Sequence, residues 1–124
     1  MNMILLVALG GAFGSIARYL MATRIQIATG WSWPLGTVLV NILGCFVIGL
    51  LYVWLVARPD PKHELRALLI TGVMGGFTTF SSFSLETVTM AMNGNYTGAS
   101  LNVGVSVAAC LVGTVLGIAL ARIT

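Results

Sequence analysis

The centre of the third apolar segment of this chain reads Gly75-Gly76-Phe77-Thr78-Thr79-Phe80-Ser81-Ser82-Phe83. These nine residues include two adjacent glycines, four hydroxyl side chains and three phenylalanines, where a bilayer-spanning helix ordinarily carries leucine and valine. The hydrocarbon core of a bilayer offers no water to irregular backbone, so such an interruption persists only where protein or an aqueous path satisfies its polar groups. We therefore predict that the function of the chain depends on this stretch.

The composition around this stretch is that of an integral membrane protein. Of the 124 residues, 58% are hydrophobic and only 7% are charged, and the mean hydropathy is +1.01. A soluble domain carries about 25% charged residues, so this chain cannot cover a globule with polar surface. The net charge of +3 is spread along the chain without a basic run interleaved with aromatics. Nucleic acid is therefore not an expected partner, whereas lipid headgroups are.

Four apolar segments are long enough to cross a bilayer, which takes about 20 residues for roughly 30 Å of hydrocarbon. Their approximate bounds are residues 3–22, 35–57, 65–92 and 99–121, which together form one domain. The third segment is too long for one straight crossing, and its glycines and hydroxyls favour a break near its middle. The predicted fold is an all-α membrane protein with four transmembrane helices, the third of them broken.

The distribution of basic residues gives only a weak orientation. An even number of spans places both termini on one side, together with Arg58, Lys62, Arg66 and Arg122. The other side holds Arg24, with Arg18 as a further candidate. The positive-inside rule would place the termini in the cytoplasm. Because the two sides differ so little in their number of basic residues, insertion in both orientations stays open.

Small residues four positions apart predict how the helices meet. They are Gly10 and Gly14, Gly72 and Gly76, and Gly113 and Gly117. Such pairs let helix backbones approach closely and drive association in membranes. Four tightly packed helices leave little room for a conduit within one subunit, so we predict a homo-oligomer, in the first place a dimer.

Backbone and aromatic groups at the interruption suggest two kinds of ion site. Broken helices in transporters expose carbonyls that coordinate cations, so the carbonyls of Gly75 and Thr78 could hold a hard cation such as Na⁺. A tight helix crossing, with the hydroxyls bonded to their own backbone, is the alternative. Phe80 and Phe83 lie on one helical face, and their positive ring edges could solvate an anion. A phenylalanine pair is, however, more often simple packing.

Polar residues in the second and fourth spans could extend such a path. Asn41 is the only amide of the second span, and it could donate to an anion or bond to a neighbouring helix. The fourth span carries a stripe of polar residues, each four positions from the next: Asn102, Ser106, Cys110 and Thr114. Hydrogen bonds between helices would explain the stripe as well, but four donors in a row favour a pathway. Cys45 is interpreted as a small apolar helix residue, and no disulfide is expected.

Two ionisable residues lie closest to the interior of the spans. Arg18 could snorkel to the interface or line a wide vestibule. Glu86 could pair with Arg18 or cap polar backbone. The sequence shows no nucleophile–base set and no metal-binding quartet, so enzymatic activity is not expected.

Three motifs together resemble those of the Fluc (CrcB) family of fluoride channels. They are Gly11-Ala12-Phe13-Gly14-Ser15-Ile16-Ala17-Arg18-Tyr19, Gly36-Thr37-Val38-Leu39-Val40-Asn41-Ile42-Leu43-Gly44, and the stretch from Gly75 to Phe83. The likeness covers nearly the whole chain in order. It implies an antiparallel, dual-topology homodimer in the bacterial inner membrane, which passively exports fluoride through two pores at the subunit boundaries. It also implies one structural Na⁺ at the dimer centre.

The resemblance assigns roles to residues that match the motifs. The Na⁺ would be held by the carbonyls of Gly75 and Thr78 from both subunits, and Arg18 matches the basic residue that closes the first motif. The fluoride pore would comprise Asn41, Phe80, Phe83, Asn102, Ser106, Cys110 and Thr114. Cys110 departs from the family pattern, since a hydroxyl is common there and a thiol is a weaker donor. Ser82 replaces a frequent threonine but keeps the hydroxyl.

Two functions of other classes remain as alternatives. A small proton-coupled exporter of the four-span multidrug type needs an intramembrane carboxylate, for which Glu86 is the candidate. A helical accessory subunit of a larger complex would need no conduit at all.

Overall fold

The computed structural model describes residues 2–57, 59 and 62–124, and the regular structure of this part is helical. We number the helices α1 (Met3–Thr29), α2 (Leu35–Leu55), α3 (residues 63–77), α4 (Phe80–Met92) and α5 (Tyr96–Ile123). Helix α3 is α-helical over His63–Arg66 and Gly75–Phe77 and π-helical over Ala67–Met74 between them. Arg58, one of the basic residues from which the orientation is predicted, lies outside the described residues.

Four stretches within the described residues are long and apolar enough to cross a membrane. They are α1, α2, α5, and the run His63–Met92 that contains α3 and α4. The predictions of an all-helical fold and of four spans are therefore confirmed.

The first helix is longer than the apolar segment predicts, since it continues past Ala22 to Thr29. Gln26 explains the extension, because its side chain is bonded to the following turn. Its Nε2 donates to the carbonyl of Trp33 at 3.0 Å, and its Oε1 accepts from the N–H of Gly36 at 3.1 Å. The helix ends at Gly30, whose φ of +62° is a conformation that glycine adopts without strain.

Two glycine-lined crossings hold the helices together. The α1–α3 seam consists of Gly10, Gly14, Gly72 and Gly76, and the α2–α5 seam consists of Gly49, Gly113 and Gly117. A Cβ atom on Gly14 would collide with the carbonyl oxygen of Val73, and one on Gly117 would collide with that of Phe46. The helix backbones themselves are thus in contact, as small residues permit in membranes.

The helical backbone is interrupted at Thr78 and Thr79, which we call the extended link. Thr78 has φ −83° and ψ 156°, and Thr79 has φ −148° and ψ 116°, so both are extended. Thr79 begins α4 as its N-cap, because its Oγ1 accepts from the N–H of Ser82 at 3.1 Å. On α2, Gly44 faces the link, and a Cβ there would collide with the side chain of Thr78.

Candidate functional site

The side chain of Asn41 holds the extended link in place. Its Nδ2 donates to the carbonyl of Thr79 at 2.9 Å, and its Oδ1 accepts from the N–H of Thr79 at 2.7 Å. The Asn41 side chain is only 8% exposed. It therefore satisfies both backbone polar groups of a residue that has left the helical pattern. An amide nitrogen carries two hydrogens, so one N–H of Asn41 is left for a further acceptor.

The extended link also diverts two backbone donors. In an α-helix, each carbonyl accepts from the N–H four residues later. The N–H of Thr79, which would serve Gly75, goes to Asn41, and the N–H of Ser82, which would serve Thr78, goes to the hydroxyl of Thr79. The carbonyls of Gly75 and Thr78 thus lose their usual helical donors. These are the two carbonyls that the sequence predicts as cation ligands.

A cavity of about 290 Å³ lies beside the link, and we call it the main cavity. Residues of α2, α4 and α5 form its wall together with the link itself: Asn41, Cys45, Thr78, Thr79, Phe80, Phe83, Ser106, Val107, Cys110 and Leu111. Five of the seven predicted pore residues therefore meet at one place, and the wall residues are uncharged. Asn102 and Thr114 lie outside this wall.

The two phenylalanines of the main cavity contact each other. Their ring centroids are 5.2 Å apart and the ring planes are tilted by 52°. Tilted pairs are favoured because the positive edge of one ring meets the negative face of the other. Phe83 is buried at 9% exposure, whereas Phe80 is 78% exposed. The outer surface of Phe80 is therefore available to lipid or to another protein chain.

Asn102 ties α5 to α4 through a side-chain hydrogen bond, and Ser106 is bonded to Asn102 within α5. Asn102, which is fully buried, donates from Nδ2 to Thr87 Oγ1 at 2.9 Å and accepts from Ser106 Oγ at 3.3 Å. Thr87 in turn donates to the carbonyl of Phe83 at 2.7 Å. Sequence reasoning missed Thr87, although it lies four residues after Phe83 and hence on the same face of α4. Polar groups thus continue from the main cavity between these two helices.

Thr114, at the C-terminal end of the predicted stripe, is bonded differently from Asn102. The hydroxyl of Thr114 donates to the carbonyl of Cys110 at 3.1 Å, within its own helix. Such back-bonding satisfies the hydroxyl without any partner from another helix. Within the stripe, Asn102 therefore bonds to α4, whereas the hydroxyls of Ser106 and Thr114 bond within α5.

A second cavity of about 240 Å³ also borders the link, at Thr79. Its wall consists of Arg18, Tyr19, Ala22, Thr23, Thr37, Thr79 and Ser82. Arg18 thus lines a cavity, and its Nε donates to the carbonyl of Gly76 at 3.0 Å, near the C-terminal end of α3, where a positive charge is favoured. Thr79 belongs to both walls, so both cavities adjoin this residue of the extended link.

Glu86 has a partner that the sequence did not suggest. Its Oε1 accepts from Thr37 Oγ1 at 2.6 Å. Within the described part of the chain, Glu86 therefore neither pairs with Arg18 nor caps backbone groups. Its Oε2 is buried without a hydrogen-bond partner in the described part of the chain. Glu86 contributes to neither cavity wall. Its partner Thr37, however, belongs to the wall of the second cavity.

The chain was compared with known proteins. The sequence model of the family described as "CrcB-like protein, Camphor Resistance (CrcB)" matches residues 5–118. A protein of Geobacter sulfurreducens named "Fluoride-specific ion channel FluC" is 47% identical over 122 residues, which cover 98% of each chain. A protein of the same name from Caulobacter vibrioides is 45% identical over 123 residues, or 98% of this chain and 97% of the relative. One from Coxiella burnetii is 42% identical over 120 residues, or 96% and 97%.

Proposed function

The chain belongs to the CrcB family, and we propose that it is a fluoride-specific ion channel through which fluoride leaves the cytoplasm passively. The observation that carries this proposal is the main cavity, where an amide, a hydroxyl and two phenylalanines meet beside the extended link. The relatives named as fluoride-specific channels support the same ion. A channel is not an enzyme, which agrees with the expectation from the sequence.

The chemistry of the main cavity suits a small, strongly hydrated anion. Fluoride gives up its water only where other donors replace it, and here the free N–H of Asn41 and the phenylalanine ring edges are available. The hydroxyl of Ser106, which donates to Asn102 in the structure, would have to turn towards the cavity to join them. A full positive charge would hold the ion too tightly, since conduction requires binding weak enough for release. The uncharged wall of the main cavity meets that requirement.

The two cavities define the proposed route. Fluoride enters the second cavity, where the guanidinium of Arg18 attracts anions. It passes the hydroxyls of Thr79 and Ser82 and reaches the main cavity beside Phe80 and Phe83. Thr79 controls this passage, because it is the residue shared by both walls.

The working form that we propose is an antiparallel homodimer with dual topology in the bacterial inner membrane. Phe80 supports it, because this wall residue of the main cavity is 78% exposed in a single chain. A second copy placed against Phe80 would close the main cavity from lipid. The weak bias of basic residues towards the side of the termini also agrees with dual topology.

A structural Na⁺ is part of the same proposal. The carbonyls of Gly75 and Thr78 fit this ion, because they are hard oxygen ligands whose helical donors are used elsewhere. The carbonyl of Gly76 is engaged by Arg18 and is not included. In a dimer, the matching carbonyls of the second subunit would complete the site, and a bound Na⁺ would offset their partial negative charge.

Efflux from liposomes tests the proposed function. Purified protein is reconstituted into liposomes loaded with potassium fluoride, and a fluoride electrode follows release after valinomycin is added, with chloride-loaded liposomes as the control. We expect rapid fluoride release, little chloride release, and no need for a proton gradient. Absence of fluoride release, or release that requires a proton gradient, would overturn the proposal.

A further inference from the structure

The two cysteines of the chain lie side by side on the wall of the main cavity. Cys45 belongs to α2 and Cys110 to α5, and both are free thiols that are partly exposed. Both line the same cavity, beside the contact between α2 and α5. The proposed conduction of fluoride does not use Cys45.

The α2–α5 seam fixes the spacing of this pair. Gly113 lies about one helical turn after Cys110, and a Cβ placed on it would be 3.9 Å from the Cβ of Cys45. Nearby, a Cβ on Gly117 would collide with the carbonyl of Phe46, the residue that follows Cys45. The two helix backbones are therefore in contact beside the cysteines, and both thiols belong to the wall of the same cavity.

Two thiols at close range on an uncharged wall select soft metal ions. We propose that Cys45 and Cys110 form a two-coordinate site for a soft metal ion such as Hg²⁺. On binding, two S–H bonds break, two S–Hg bonds form, and two protons leave to water, with no change in oxidation state. The dithiolate complex of a divalent ion is neutral, which avoids the cost of placing a net charge against apolar side chains.

A metal ion bound at this site should block the passage of fluoride through the main cavity. The metal would lie in the main cavity with Phe80 and Phe83, where it would exclude fluoride from the space beside Asn41. This consequence depends on the proposed function, whereas metal binding by the two thiols does not.

Binding is tested first, on purified protein titrated with HgCl₂. Ultraviolet absorbance of the mercury–thiolate bonds and a thiol reagent give the stoichiometry. We expect one Hg²⁺ per chain and loss of both titratable thiols, with subunits that still run as monomers on non-reducing denaturing gels. Two metal ions per chain, thiols that remain reactive, or a metal-linked dimer would overturn the site.

Single variants test whether the two thiols act together. Cys45→Ala and Cys110→Ala each leave one ligand, and we expect each to bind Hg²⁺ about 100-fold more weakly, because the second thiol acts at a high effective concentration. A single variant that binds as tightly as the unaltered chain would overturn the two-thiol site.

Fluoride efflux tests the block. For each variant, efflux with HgCl₂ is expressed relative to its own rate without metal, and a dithiol reagent is added to restore it. We expect reversible block of the unaltered chain and about 100-fold weaker block of either variant. Equal block of the double variant Cys45→Ala/Cys110→Ala would overturn the inference. If the unaltered chain conducts no fluoride, the proposed function fails, and the binding stoichiometry still decides this site.

Discussion

The glycine seams and the extended link both depart from an ordinary leucine-rich helix, but different forces hold them. In the α1–α3 seam, Gly14 has the carbonyl of Val73 where a side chain would stand, so contact between backbones fixes the geometry. At the link, Asn41 and Thr79 fix the geometry through side-chain hydrogen bonds. Gly75, three residues before the link, has room for a side chain, since an added Cβ would make only an ordinary contact with the carbonyl oxygen of Ile70 at 3.9 Å.

This difference indicates which property each region controls. An atom added in a seam forces two helix backbones apart, so it lowers the stability of the fold. A changed polar group at the link leaves the helices in contact but alters what a passing anion meets. The seams should therefore determine stability and the link should determine conduction.

The largest effect on stability should come from Gly14→Ala. Its new Cβ would collide with the carbonyl of Val73, and overpacking of this kind costs about 1–3 kcal/mol. The thermal midpoint and the monodisperse yield in detergent measure the loss. Gly11→Ala is the matched control, since a Cβ on Gly11 has nothing within 4 Å. Equal stability of the two variants would contradict the claim that close backbone contact in the seam determines stability.

An intermediate effect should come from Thr79→Val, which keeps the shape of the side chain but removes the N-cap of α4. Loss of such a cap costs about 1 kcal/mol. Fluoride efflux per folded protein should fall more than stability does, because the same hydroxyl lies on both cavity walls. Thr79→Ser retains the oxygen and should restore most of the efflux. If Thr79→Ser conducts as poorly as Thr79→Val, the hydroxyl is not the relevant group.

The smallest effect should come from Thr114→Val. The hydroxyl of Thr114 is bonded to its own helix and lies outside the main cavity, so stability should change by less than about 0.5 kcal/mol. Efflux should stay near the unaltered rate. Ser106→Ala, two steps along the same stripe, should reduce efflux, because Ser106 lines the main cavity. Equal efflux of these two variants would mean that the stripe acts as one unit.

The sequence was sufficient for the helices and for many residues of the cavity wall. Long apolar runs predict four spans, because each must exceed the thickness of the hydrocarbon. Positions three or four apart place Phe80 with Phe83 and Ser106 with Cys110 on common faces. That regularity holds within one helix, so it needs no knowledge of how helices pack.

The sequence does not predict which residues of different helices contact each other. The partner of Asn41 is Thr79, 38 residues later, and that of Glu86 is Thr37, 49 residues earlier. Each pairing depends on the rotation of one helix against another, which a single sequence does not specify. For the same reason Cys45 was interpreted as an apolar helix residue, although it lies four residues after Asn41 and faces the same cavity.

The most direct test of the central claim is fluoride efflux by Asn41→Asp, expressed per folded protein and accompanied by its thermal midpoint. The Asp oxygen can still accept from the N–H of Thr79, but the bond to the Thr79 carbonyl and the N–H donor to the anion are both lost. A negative charge can then face the anion. A single preorganised donor to an anion is worth about 3 kcal/mol, so we predict efflux lower by about two orders of magnitude, with a smaller change in stability. Efflux at the unaltered rate from a folded Asn41→Asp protein would contradict the account.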